Sequence, residues 1–314
     1  MSTEPTPELS IVIPLLNEQE SLAELASRID AAIGSRSYEI LFVDDGSTDG
    51  SWEVIASLSA ADPRIKGIRF RRNYGKSLAL QKGFERARGT YIATMDADLQ
   101  DDPNELPAMF AMLDSGYDLV SGWKQVRHDP ISKTIPSKFF NGVTSRMSGI
   151  ELHDFNCGLK VYKREVIESI ELYGEMHRYI PLLAKWQGFS KIGEKVVTHH
   201  ARKYGKTKFG LSRFMNGFLD LITLMFIHTY MNKPMHFFGT LGFVSLSTGG
   251  AIVTYLAFMR VFYDVYLSNR PLLLFGILLL VMGVQLFSIG FVGEMLNNTE
   301  KRGRKVNIRE EVGA

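Results

Sequence analysis

One cysteine, Cys157, in 314 residues has no partner within the chain, which excludes an intramolecular disulfide framework and a cysteine-rich zinc site. A small core residue is the expected role. Neither sign of charge dominates, with 36 Lys and Arg against 34 Asp and Glu, so no global field recruits nucleic acid and none is expected as a partner. MSTEPTPELS at the start has no apolar run, and a cleaved signal peptide is not expected. No Gly-x-Gly-x-x-Gly follows the first apolar segment, and no Gly-x-x-x-x-Gly-Lys-Ser/Thr occurs, so the dinucleotide fingerprint and the P-loop are both missing. The length is enough for one sizeable α/β domain and something smaller.

What is present begins with alternation. Short β-branched runs at Leu9–Pro14, Tyr38–Asp45, Arg64–Phe70, Tyr91–Asp98 and Asp118–Trp123 are the expected strands, with helical periodicity between them, and His153–Lys163 returns to a strand-like pattern. Asp102 is placed to cap a helix that has Pro103 at its first position. Strand and helix in turn predict an α/β doubly wound, mostly parallel sheet with helices on both faces. In such sheets ligands bind beyond the carboxyl ends of the strands. Asn17 and Glu18, Asp44 and Asp45, Asn73 and Lys76, and Asp96 and Asp98 all fall there, so four strand ends converge on one cleft.

Asp96 and Asp98 are spaced i, i+2, which in extended chain directs both carboxylates to one side. Hard oxygen ligands of this kind suit Mg²⁺ or Mn²⁺ with phosphate oxygens completing the shell, and Gln100 offers a third oxygen. In isolation the same residues describe an acidic surface turn. Downstream, Lys124, Arg127, Lys133, Lys138 and Arg146 form a basic stretch suited to an anionic group. His199 and His200 invite a metal reading, but adjacent residues chelate poorly.

Two runs, 237–258 and 271–293, are uncharged and long enough to cross a bilayer. Phe209–Tyr230 is apolar but interrupted by Arg213, Asn216, Asp220 and His228, as in a helix lying along the interface. Basic residues flank the pair on both outer sides, which predicts a multi-pass protein of the cytoplasmic (inner) membrane with the large domain and the tail in the cytoplasm. The expected division is 1–208 catalytic, 209–232 interfacial, 233–295 hairpin and 296–314 basic tail. Glycines at 276, 283, 290 and 293 offer close packing to hairpins of a homo-oligomer.

With IVIPLLNE, LFVDDGSTDGS, RRNYGK, MDADLQDDP and a basic loop before a membrane hairpin, the chain resembles the inverting family-2 glycosyltransferases of GT-A fold. More narrowly it is similar to the polyprenyl-phosphate glycosyltransferases, the group like dolichol-phosphate mannose synthase. The resemblance covers nearly the whole chain. It implies that Pro14, Asn17, Glu18, Asp44, Asp45, Asn73, Lys76 and Ala97 line the nucleotide-sugar site together with Asp96 and Asp98. It places the metal on Asp96, Asp98 and Gln100, and the acceptor phosphate on Lys124, Arg127, Lys138, Arg202, Lys206 and Lys208. Asp96, Asp98, Arg127 and Arg202 are the catalytic set it implies. Arg202-x-x-Gly205-x-Thr207-Lys208 is similar to the family's mobile loop, although Lys124 and Thr207 stand where the family often has Arg and Ser.

The expected reaction moves one hexose from a nucleotide diphosphate, UDP-glucose first and GDP-mannose second, to polyprenyl phosphate at the bilayer. The chain has no Glu-Asp dipeptide of the kind that supplies a base to hydroxyl acceptors. A phosphate monoester, with a second pKa of about 6, needs none. A processive polysaccharide synthase would carry Gln-x-x-Arg-Trp, which this chain lacks, and an inactive scaffold would not need the intact acidic motif.

Overall fold

A computed structural model describes residues 6–125, 141–146, 148–201, 203–204, 223, 226, 234–264, 266 and 270–300. The chain divides into two compact units, Met1–Phe218 and Leu219–Ala314.

The first unit is built on β1 (Leu9–Leu15), β2 (Tyr38–Asp44), β3 (Ile65–Arg69), β4 (Tyr91–Thr94), β5 (Leu119–Trp123), β6 (Lys160–Lys163) and β7 (Ile192–Val196). Their order in the sheet is β3-β2-β1-β4-β6-β5-β7. β3, β2, β1 and β4 run parallel, β6 is antiparallel to both β4 and β5, and β5 pairs parallel with β7. Every residue of β1 and β2 is buried, which is why their sequences are continuous apolar runs rather than alternating ones.

Helices α1 (Leu22–Ile33), α2 (Ser51–Ala61), α3 (Lys76–Arg86), α4 (Leu106–Asp114), α5 (Arg164–Glu168) and α6 (Ile180–Trp186) belong to the same unit. Alternate residues of β1 serve opposite faces. Ile11 and Ile13 join one core with Leu25 and Ile29 of α1, Ile55 of α2 and Met109 and Phe110 of α4. Val12 points the other way, against Gly83 of α3, where an added Cβ would lie 2.2 Å from the valine. Helices therefore cover both faces of the sheet. Asp102 caps as expected, its carboxylate accepting from the Asn104 N–H at 3.0 Å, but the first turn, Pro103–Glu105, is 3₁₀.

Three expectations are corrected. β1 runs on through Pro14 to Leu15, because an N–H-less residue tolerates a strand end. β4 stops at Thr94, where its pairing with both neighbours stops, so Asp96 and Asp98 stand on the loop after the strand rather than on it. His153–Lys163 yields only a four-residue strand, preceded by a turn-rich segment.

The second unit is a helical hairpin. A π-helical turn (Met235–Gly239) leads into α7 (Thr240–Tyr263), and α8 (Pro271–Glu300) returns. Met235–Tyr263 and Pro271–Met295 are long and apolar enough to cross a membrane. Only 22% and 11% of their apolar windows are buried, whereas a helical pair in a soluble core would be mostly covered. The unit is that of a membrane protein. Its helices meet at glycines: a Cβ on Gly242 would lie 2.8 Å from the Gly283 carbonyl, and one on Gly249 2.7 Å from that of Gly276. Ser245 Oγ donates to the Leu279 carbonyl at 2.8 Å. Gly276 also faces α7, while Gly290 and Gly293 face Met235 and Pro234. The interfacial segment lies outside the described residues except Thr223 and Phe226, and Phe226 packs edge-on against Phe237.

Candidate active site

The loops after β1 and β2 are tied to one another. Asn17, at φ 55°, donates its N–H to Ser47 Oγ at 2.9 Å and accepts the Thr48 N–H at 2.8 Å. The Glu18 N–H reaches Ser51 Oγ at 3.0 Å, and Gln19 accepts from the Gly50 N–H at 2.7 Å. Asp44, fully buried, accepts the Ser47 N–H at 2.7 Å with Arg69 Nε 3.4 Å away. Asp45 receives the N–H groups of Tyr74 and Gly75 at 2.7 and 2.9 Å and so positions the loop that holds Asn73 and leads to Lys76. Burial nevertheless leaves its carboxyl raised above the ordinary value. Gly46 is required where it is: its φ is 80°, and a Cβ would sit 2.5 Å from the Arg72 backbone.

These contacts give Asn17 and Asp45 a positioning role. Asn73 is exposed, Glu18 is half-buried, and Pro14 is buried in β1.

After β4, burial alternates. Asp96, Asp98 and Gln100 are half-buried while Ala97 and Leu99 are covered, so three oxygen-bearing side chains share the cleft side. Leu99 turns the chain at φ 60°, and the Gln100 N–H meets Asp98 Oδ1 at 3.2 Å. Asp96 is ion-paired with Lys76 from the start of α3. The charge of Lys124 also acts on it, and Lys124 itself contacts Asp101 Oδ1 at 2.6 Å. Burial works to raise the Asp96 carboxyl and to lower the Lys124 ammonium. The opposite charges win in both cases, so Asp96 is held well below the carboxylate range and Lys124 well above the usual lysine value.

Among the described residues no cluster of three or more His, Cys, Asp or Glu forms a ready-made metal cage. Two carboxylates and an amide on one side of a loop fit instead a hard divalent cation that takes its remaining oxygens from a diphosphate.

Arg127, Lys138, Arg202, Lys206 and Lys208 lie outside the described residues. Sequence reasoning missed what holds the approach to this basic loop. His199 forms an isolated antiparallel bridge with Asp101, and the His200 N–H donates to the Gln100 carbonyl at 2.9 Å. The His200 ring approaches Asp102 at 3.3 Å, and Glu105 accepts from both groups of Thr198. The histidine pair thus ties residues 198–200 to the acidic loop. Also missed were Asp101, Gly158, Lys160, His177 and Arg178. Gly158 lies so close to Asp96 that a Cβ would fall 2.5 Å from its carboxylate. A lysine within a short Lys-Val-Tyr-Lys strand gives no sign that it is buried.

Glycosyl transferase family 2 matches residues 10–171. Dodecaprenyl-phosphate galacturonate synthase of Rhizobium johnstonii is 39% identical over 94% of this chain and 89% of its own length. Undecaprenyl-phosphate 4-deoxy-4-formamido-L-arabinose transferase of Shewanella sediminis is 35% identical over 92% and 86%. Among solved structures, glucosyl-3-phosphoglycerate synthase from Mycobacterium tuberculosis, in complex with Mn²⁺ and UDP-glucose, aligns with a TM-score of 0.55. That alignment covers 71% of this chain and 79% of the other at 17% identity, a likeness of fold. The chain belongs to glycosyl transferase family 2 and is a glycosyltransferase of GT-A fold.

Proposed function

We propose that the protein transfers a single sugar, with inversion, from a UDP-glucose-like nucleotide sugar to polyprenyl phosphate at the cytoplasmic face of the inner membrane. The observation that carries this reading is the half-buried set Asp96, Asp98 and Gln100 on a loop that Lys76 and Lys124 hold through Asp96 and Asp101. Relatives named for polyprenyl-phosphate acceptors, similar over nearly the whole chain, support the acceptor. The UDP-glucose and Mn²⁺ of the structural neighbour support the donor and the metal.

Asp96, Asp98 and Gln100 would hold Mg²⁺ or Mn²⁺, which when bound supplies positive charge to the departing diphosphate. Asn17, Glu18, Asp44, Asp45 and Asn73 shape the nucleotide face, and Lys76 keeps the Asp96 carboxylate oriented. Lys124 holds the acidic loop through Asp101, while Arg127, Lys138, Arg202, Lys206 and Lys208 complete the acceptor-phosphate site. The acceptor arrives as a largely ionised phosphate, so none of these residues has to remove a proton.

Purified full-length protein supplied with Mn²⁺, undecaprenyl phosphate and a panel of UDP-hexoses and GDP-mannose should yield a lipid-linked monosaccharide. Asp98→Ala should abolish it without lowering the melting temperature. Lipid product from none of the donors would overturn the transferase reading, and robust turnover by the variant would remove the metal assignment.

A further inference from the structure

Asp96 and Asp98 stand past the end of β4, so no strand pairing sets the separation of their carboxylates. Burial along the same loop singles out a third acid. Asp101 is 1% exposed and continues the covered series of Ala97 and Leu99, whereas Asp96, Asp98 and Gln100 share the cleft side. An inward carboxylate is costly unless it is matched.

Its match is Lys124, whose Nζ lies 2.6 Å from Oδ1, with the lysine side chain 12% exposed. Oδ2 lies 3.5 Å from the Asp96 N–H, where the acidic loop begins. The Asp101 backbone pairs with His199 ahead of the basic loop. Lys124 follows β5, and β6 stands between β4 and β5 in the sheet. One buried carboxylate therefore joins two strand ends that are not neighbours. A surface turn needs no such tie. A loop that presents two carboxylates to one cation does, because the groups that orient metal ligands govern affinity together with the ligands. The same contact leaves Lys124 little surface for a lipid phosphate.

We propose that Asp101 is a positioning residue of the metal site: paired with Lys124, it holds Asp96 and Asp98 at the separation a divalent cation requires, and Lys124 serves the metal rather than the acceptor. The inference rests on the metal assignment above and adds to it two residues that do not touch the cation.

The test follows Mn²⁺ binding to the full chain in detergent, with UDP present, by the electron spin resonance of free Mn²⁺. The Kd of undecaprenyl phosphate is measured in the same detergent, and melting curves report the fold. Asp101→Asn should raise the Mn²⁺ Kd about tenfold or more. Lys124→Met should raise it by a similar factor, whereas Lys124→Arg, which keeps the charge, should retain most of the affinity. Asp101→Asn combined with Lys124→Met should bind Mn²⁺ no more weakly than either alone, since all three lose one contact. That double variant removes both buried charges together, so it carries the test if Asp101→Asn alone does not fold. The undecaprenyl phosphate Kd should stay unchanged throughout.

Asp98→Ala separates this proposal from the metal assignment, and it should lose Mn²⁺ binding. Native Mn²⁺ affinity in the Asp101 and Lys124 variants, with binding lost in Asp98→Ala, would overturn the proposal and leave the metal assignment intact. So would a raised undecaprenyl phosphate Kd in Lys124→Met at native Mn²⁺ affinity, since the lysine would then belong to the acceptor. Native affinity in Asp98→Ala as well would overturn both.

Discussion

Asp96 is half-buried, which favours its neutral form, but Lys76 and Lys124 hold it ionised far into acid. A depressed carboxylate contributes stability that is complete above its unfolded value, about 3.9, and lost only as pH falls through the lower folded one. Its titration therefore cannot set an acid limb near neutrality. The acceptor phosphate can, because its second ionisation falls near pH 6. Initial rates of lipid-linked sugar formation should rise through about pH 6 to a plateau. A rate unchanged down to pH 5 would rule out the dianion as nucleophile.

Gly46 tests the neighbouring loop at the same scale. With φ at 80° and the Arg72 backbone within 2.5 Å of a Cβ, Gly46→Ala combines strain with a clash against atoms that cannot rotate away. A loss of about 1–3 kcal/mol is expected in denaturant unfolding, with a raised KM for the nucleotide sugar. An unaffected variant would show that the two loops do not depend on this crossing.

Among the elements, the hairpin gives the sharpest contrast between neighbouring glycines. Gly283 has Leu246 Cγ and the Gly242 carbonyl within 2.9 Å of its Cβ direction, whereas Gly250 has nothing within 4 Å. Gly283→Val should push α7 and α8 apart and lower the melting temperature in detergent, and Gly250→Ala should not. Equal effects would mean that helix propensity rather than close packing decides.

The strands β1 and β2 were legible because a strand buried on both faces must be an unbroken apolar run. The end of β4 was not, since it depends on where β6 ceases to pair, and that partner arrives from 66 or more residues away in sequence. For the same reason the carboxylates of the site were legible and the residues packed beside them were not. Asp96 and Asp98 declare themselves by spacing, while Gly158 and Lys160 come beside Asp96 only through antiparallel insertion of β6, and His177 is brought in only by its bond to Ser77 of α3. His199 and His200 were read as poor chelators, and their tie to Asp101 and Asp102 is again a long-range pairing.

At the scale of the whole molecule, the soluble chemistry and the membrane hairpin have to share one orientation, and the chain's own composition supplies a means of reading it. Cys157 is the sole cysteine, is 2% exposed, and has its thiol pushed up to about 12 chiefly by burial, so it reacts little at neutral pH. A single cysteine placed elsewhere then reports its own side of the bilayer. Asp264, at the end of α7, is highly exposed, and Gln125, just past β5, is exposed on the first unit. Basic residues flank the hairpin's outer ends, while the stretch between the two apolar runs carries only Arg260 and Arg270, and the proposed orientation, with the turn on the far side of the membrane, rests on that asymmetry. In intact cells a membrane-impermeant maleimide should therefore label Asp264→Cys, and should label Gln125→Cys only after permeabilisation. Label on Gln125→Cys in intact cells would place the cleft away from the cytoplasm and its sugar nucleotides, and the transfer could not proceed as proposed.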